Sequence, residues 1–321
     1  MPAYSIGQGS ATQGVGNLSI DLLTAIRSTY IDTQYSEMRA FDCIAQESVD
    51  TTPPLGSQTA MQRIRDMSGV ASFIDSEGSN INTVGVGVDA LTVPLRIAAV
   101  SGTVTIEDVR AFNFGQNINL VTATSESIKL AEDRHIEHVF FFGYPDFGMD
   151  GFLNSPSIPI KTATSNAAGG GTDFASATAD ECVQKLQTAM LEVYAQTKGI
   201  FVPNFIALPP SAFAALNSKR MDGTGISALN YFLDNNLCLT KTGQRPKIVD
   251  LTYLTEAAAD GTSDRMVVKV MDKETDWFPF PEQPNLLAPQ IVDLGTKFFG
   301  IHTIGPYSCM IPKKALYVDG V

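Results

Sequence analysis

The stretch His138–Asn154, HVFFFGYPDFGMDGFLN, constrains the fold of this chain more than any other. Phe140, Phe141 and Phe142 belong in a core, and Gly143 stops the run. Tyr144-Pro145-Asp146 then reads as a turn, because proline fixes φ and aspartate can hydrogen-bond its own backbone. Gly148 and Gly151 permit a second tight reversal before Phe152 and Leu153 return to the interior. A long helix-compatible segment precedes the stretch, and Ser155-Pro156 opens a separate region after it. No nucleophile, base or metal cluster accompanies this punctuation. It reads as a junction between two structural units.

Upstream, residues 1–20 are rich in Gly, Ser, Gln and Thr and read as a flexible arm. Leu22, Leu23, Ile26 and Tyr30 recur at helical spacing over 21–35, with Ser19 as a cap, and Thr51-Thr52-Pro53-Pro54 breaks the chain. The spacing allows a short helix over Ser57–Met67. Residues 70–106 change character. They are rich in Val, Ile, Thr, Gly and Asn, alternate at Val84-Gly85-Val86-Gly87-Val88, and predict a long two-stranded hairpin with its tip near Glu77–Asn82. A two-stranded ribbon has little core of its own and is marginal in isolation, so a neighbouring subunit is expected beneath it. Over 112–140, Phe114, Ile118, Val121, Ser125 and Ile128 share one stripe, joined later by Val139. A helix of that span is about 40 Å long.

Downstream, residues 156–276 read as an α/β unit. Thr178 and Glu181 form a capping box ahead of Val183, Leu186, Met190 and Val193, and Gly199 ends that helix. Strands are predicted at Phe201–Leu208, Lys247–Leu254 and Met266–Met271. Helices are predicted after Pro209-Pro210 and over Gly225–Asn236. From Asp276 the chain is aromatic and proline-rich, then apolar over Gln290–Ile304.

The composition excludes several functions. At 44% hydrophobic residues over 321 the chain can fill a large core, but no apolar run approaches the roughly 18 residues of a membrane-spanning helix. The N-terminus has neither a basic nor an apolar region of the kind a signal peptide needs. Asp and Glu number 34 against 22 Lys and Arg, and the densest basic clusters are pairs such as Arg63/Arg65 and Lys313/Lys314. Tight DNA binding takes about 6–10 phosphate contacts from a clustered face, so no sequence-specific nucleic-acid binding is expected. Cys43, Cys182, Cys238 and Cys309 lack metal or redox spacing and are expected as reduced, mostly buried thiols. Phosphate-binding, nucleophile-elbow, zincin and EF-hand motifs are absent.

Four constellations could carry chemistry. His135 and His138, one helical turn apart beside Glu132 and Glu137, could share a metal, against a solvated helix face as the plainer reading. Asp272, Glu274 and Asp276 could hold a cation, against a turn. Asp146 and Asp150 are expected to cap the glycine turn. Trp277, Phe278 and Phe280 could form a ligand platform, against a core or subunit contact. The plainer reading is preferred at each, so no catalytic, cofactor-binding or metal-binding residue, no cofactor and no enzymatic activity is expected.

Gly151-Phe152-Leu153-Asn154 resembles the Gly-Leu-Leu-Asn-like signature that follows the spine helix in HK97-fold major capsid proteins of tailed bacteriophages. The order of segments over 20–321 resembles that family too. The resemblance implies an α+β, HK97-like capsid fold: N-terminal arm (1–56), start of the P-domain (57–69), extended E-loop hairpin (70–106), P-domain with the long spine helix (107–155), inserted A-domain (156–276), and returning P-domain strands (277–321). It implies a structural protein that self-assembles into pentamers and hexamers of an icosahedral phage head around double-stranded DNA. The partners implied are further copies of the chain, a separate scaffolding protein, a portal and decoration proteins, with no membrane. The implied location is the virion, with assembly in the host cytoplasm. Some family members crosslink through an E-loop lysine; here the first lysine is Lys129, so no such crosslink is expected. An encapsulin-type nanocompartment shell and a soluble enzyme with an α/β insert are the alternatives.

Overall fold

The computed structural model describes residues 38–68, 83–113, 120–167 and 171–321. The expected arm, the helix over 21–35, the hairpin tip, Phe114 and Ile118 lie outside these residues. After a short strand β1 (Val49–Asp50), which pairs with β11 (Asp276–Pro279) and through it joins β15 (Ser308–Cys309), the chain forms β2 (Thr59–Ser68), β3 (Gly85–Pro94) and β4 (Arg96–Thr105), then helix α1 (Ile106–Asn113) and the spine helix α2 (Leu120–Phe142).

The predicted hairpin exists, but with different strands. β2 and β3 pair antiparallel from Thr59↔Pro94 to Ser68↔Gly85. The ribbon therefore begins in the segment expected to be helical, and residues 96–105 are not part of it. Met61, Gln62, Arg63 and Arg65 favour a helix intrinsically, but strand propensity is governed by the available partner rather than by the residue alone. The two strands part at Leu95, which is buried with Ala60, Val93 and Trp277. Its N–H donates to the Gln58 carbonyl at 2.8 Å, closing the ribbon base. β4 instead pairs along its whole length with β14 (Gly295–Ile304), which is flanked by β12 (Glu282–Leu286) and β13 (Gln290–Val292).

α2 lies across β4 and β14. Its inner stripe is Ile128, Glu132, Ile136, Val139 and Phe140, all buried. The weak helix formers Thr124 and Ser125 return their hydroxyls to the carbonyls of Leu120 and Val121 at 2.8 and 2.9 Å, so the helix runs through them. Gly102 and Gly300 let the layers close up. A Cβ at Gly102 would stand 2.5 Å from Thr124 Cγ2, and one at Gly300 would stand 2.6 Å from Ile128 Cγ2.

The second unit is a five-stranded sheet in the order β7 (Ile160–Thr162), β16 (Ala315–Asp319), β10 (Arg265–Lys269), β8 (Phe205–Leu208), β9 (Lys247–Asp250). Helix α3 (Ala179–Gln196) starts at the expected capping box and packs on one face with α4 (Pro210–Ser218) and α5 (Ala228–Asp234). An unexpected helix, α6 (Leu237–Thr242), is capped by the Asn236 side chain. The returning segment 277–321 divides between the two units. β14 lies beside the spine helix, but β16 fills the gap between β7 and β10. Leu316 and Val318 face the α3 core and Ala315 and Tyr317 the spine-helix core, so a strand apolar on both sides fits only inside a two-faced sheet.

Candidate functional site

Two places stand out: the junction after the spine helix, where the sequence concentrates its special residues, and the surfaces left apolar and uncovered.

At the junction, α2 ends in a two-residue hairpin, β5 (Gly143–Tyr144) with β6 (Met149–Asp150). Gly143 has φ +67°, and a Cβ there would lie 2.2 Å from the Met149 carbonyl oxygen. A Cβ on Gly151 would lie 2.3 Å from that of Phe141, so both positions exclude any side chain. Asn154 closes the turn: its Oδ1 accepts from the Gly151 N–H at 2.6 Å and its Nδ2 donates to the Phe142 carbonyl at 2.9 Å. Phe152 and Leu153 donate their N–H groups back to Phe140 and Phe141. The GFLN signature is thus a clasp on the helix end. Phe140 then stacks on Phe152 (5.5 Å) and meets Phe278 and Tyr307 edge-on.

Charged groups tie the second unit into this core. Lys269 and Asp276, both fully buried, pair at 2.8 Å, and the Tyr307 hydroxyl donates to the other Asp276 oxygen at 2.6 Å. Arg265 forks onto Asp319 at 2.6 and 2.8 Å and donates to the Leu153 carbonyl. Tyr317 donates to the Phe152 carbonyl at 2.5 Å.

The four constellations separate. His138 lies against Phe142 and Tyr144, and Glu137 accepts the Arg39 N–H at 2.9 Å. His135 and Glu132 instead meet His302, which lies far away in the chain: His135 Nδ1 is 2.9 Å from His302 Nε2, and His302 Nδ1 is 3.4 Å from Glu132 Oε1. Sequence reasoning missed this partner because only strand pairing brings residue 302 there. Among the described residues, no group of three or more His, Cys, Asp or Glu is placed to hold a metal ion.

Asp272 accepts from Thr275 and Lys314, which hold its carboxyl below the usual range although burial opposes them. Asp276 belongs to the buried Lys269 pair, while Asp272 and the exposed Glu274 both lie by Lys314, at 2.9 and 3.8 Å. Trp277 donates to Asp50 at 3.1 Å, while Phe278 and Phe280 are buried in the core. The side chain that closes the glycine turn is Asn154, not Asp146 or Asp150. The four cysteines are free and buried, and burial pushes the Cys43 and Cys309 thiols up to about 12.

Two groups of exposed apolar side chains stand out among the described residues. On the β2–β3 ribbon, Met61, Ile64, Met67, Val86 and Val88 are exposed. Around β12 and β13, Leu286, Leu287, Ile291 (86% exposed), Val292 and Leu294 form a second group. Ile106 and Val109, also exposed, adjoin it through the Ile106 N–H bond to Leu294. No helix among the described residues is long and apolar enough to cross a membrane.

Residues 69–321 match the family model described as Major capsid protein. No curated protein matches the sequence. Among solved structures, the capsid of Myoviridae phage XM1 is similar over 98% of this chain and 100% of that one, with a TM-score of 0.78 at 11% identity. A Gordonia phage Cozz structure is similar over 99% and 98%, with a TM-score of 0.61 at 13% identity. A virus-like particle from Pyrococcus furiosus is similar over 85% and 90%, with a TM-score of 0.50 at 12% identity. At these identities the likeness is one of fold.

Proposed function

The chain belongs to the major capsid protein family, and from that premise we propose that it self-assembles into the pentamers and hexamers of an icosahedral phage head enclosing double-stranded DNA. The observation that carries this reading is the β2–β3 ribbon: a ladder ten residues long with large apolar side chains exposed along it. Met61, Met67, Val86 and Val88 share one face of the ladder with Arg63 and Arg65; exposed apolar side chains gathered on one element mark a contact surface, and a second copy is the cover that a shell supplies. The spine helix with its sheet of β4, β12, β13 and β14 would form the wall. The α/β unit, with β16 included, would surround the capsomer axes as an A-domain.

The ribbon carries Arg63 and Arg65 but no lysine, and the first lysine of the chain is Lys129. The shell would therefore be held without isopeptide crosslinks, through interfaces of about 2,000–5,000 Å² per pair. The excess of acidic residues suits a wall that encloses DNA without specific contacts. A separate scaffolding protein, a portal and decoration proteins would be its partners in the host cytoplasm. The likeness to the phage XM1 capsid over nearly the whole of both chains supports this reading over an encapsulin-type compartment.

The test is electron microscopy and light scattering on the chain expressed alone and with candidate scaffolding proteins. Shells, capsomers or tubes are expected, running as a single monomer band after denaturation. A strictly monomeric chain under every condition would overturn the reading, and shells filled with a specific enzyme would favour the compartment.

A further inference from the structure

Glu132, His302 and His135 form a polar row inside the otherwise apolar contact between the spine helix and β14. The inner face of β14 reads Phe298, Gly300, His302, Ile304, all buried, with Phe298 in one apolar cluster with Ile128 and Ile304 in another with Ile136. Gly300 brings the strand so close that a Cβ there would stand 2.7 Å from Glu132 Cδ. Glu132 and His302 are 3% and 2% exposed, so water cannot substitute for the partners they have.

From this geometry we propose that the Glu132–His302–His135 row is an acid-operated release between the spine helix and the long strand of its sheet. The 2.9 Å contact between His135 Nδ1 and His302 Nε2 needs one proton between the two nitrogens. With both rings neutral, one N–H donates to the other ring's lone pair, and the second ring's remaining N–H can serve Glu132. A first added proton leaves that arrangement intact. A second sets N–H against N–H and two charges inside the core, so the contact must part. Glu132 Oε1, 3.4 Å away, is the acceptor that favours an N–H on His302 Nδ1.

The surrounding groups modulate this without replacing it. Asp133 and His138 lie on the helix, and Glu137 is engaged by the Arg39 N–H. Tyr144 on β5 flanks His135 at 5.7 Å. Glu282 on β12 accepts from Thr303, and Arg96 on β4 sits over the Phe147 ring. Burial lowers the proton affinity of His135, and the charges of His302 and His138 would lower it further. Burial also lowers that of His302, against Glu282 and Asp133. An unfolded histidine takes up its proton near about pH 6.5 and these only below that, so falling pH favours the parted form. Glu132 works in the opposite sense. Burial and Asp133 raise its proton affinity, so its contribution is present in acid and fades as pH rises through its folded value.

The inference stands on the fold and is independent of whether the chain builds shells. It is tested by hydrogen–deuterium exchange on the full chain at about pH 7.5 and about pH 5.5, either side of the ordinary histidine range. Intrinsic rates are corrected, and the assembly state is checked by light scattering at both pH values. Peptides from 120–142 and 295–304 should lose protection together in acid, by up to about tenfold per pH unit for each proton taken up, while 265–269 and 315–319 keep theirs. His302→Gln, which can bond both neighbours but cannot titrate, should flatten the profile, and His135→Gln should make it shallower. Equal protection at both pH values, or a wild-type step in His135→Gln, would overturn the proposal. That variant sits at a half-buried position and keeps the test decisive if His302→Gln does not fold.

Discussion

The five-stranded sheet and the β2–β3 ribbon are both hydrogen-bonded β structure, yet they stand at opposite ends of self-sufficiency. Every residue of β10 is buried, with Met266 and Val268 facing one core and Val267 the other. On β3, by contrast, the first six residues are exposed. β10 is paired on both sides, by β16 and β8, whereas each ribbon strand has a single partner, and the two places differ as well in what the side chains have to lie against. Burial of apolar area, at roughly 25 cal/mol per Å², stabilises the sheet within one subunit. For the ribbon that contribution is available only from another surface.

The comparison breaks first, if it breaks, at Lys269. Lys269→Met leaves Asp276 charged and unpaired in the core and should cost about 3–5 kcal/mol in denaturant unfolding, since the pair is fully buried. Phe140→Ala at the junction should cost a comparable ~3–5 kcal/mol, because its ring meets Phe152, Phe278 and Tyr307. Thr178→Ala should remove about 1 kcal/mol by taking away the cap of α3. Val86→Ser with Val88→Ser should change subunit stability by less than about 0.5 kcal/mol while abolishing assembly in light scattering. A ribbon variant that destabilised the isolated subunit as much as Lys269→Met would show that the ribbon has a core of its own.

A chemical probe sharpens the same contrast with the smallest perturbation. With their thiols pushed up to about 12, Cys43 and Cys309 stay protonated at mildly alkaline pH. Iodoacetamide should leave both unmodified in the native chain and alkylate them on unfolding, as read by mass spectrometry. Because burial raises these values, the stability they contribute is full below the ordinary thiol range and fades as pH rises from there through about 12.

Local signals were legible wherever a few neighbouring residues suffice. The capping box at Thr178 and Glu181, the Pro209-Pro210 entry to α4 and the turn after Phe142 are each decided within four or five residues. Residues 57–67 show the opposite case, since side chains that prefer a helix form a strand once a partner is present. The polar row of the spine helix is a second. Glu132 and His135 are visible as a helical pair, but their partner His302 lies at a sequence distance no local pattern spans.

The sequence by itself determined the α+β class, the spine helix, the glycine turn after Phe142 and the apolar alternation of the strands. Only the tertiary structure decided which strands pair: β4 with β14 rather than β3, and β16 between β7 and β10. The reason is physical. A period of two tells which face of a strand is buried, but the ladder itself is made by backbone groups common to every residue, so the choice of partner is settled by how all the faces pack at once.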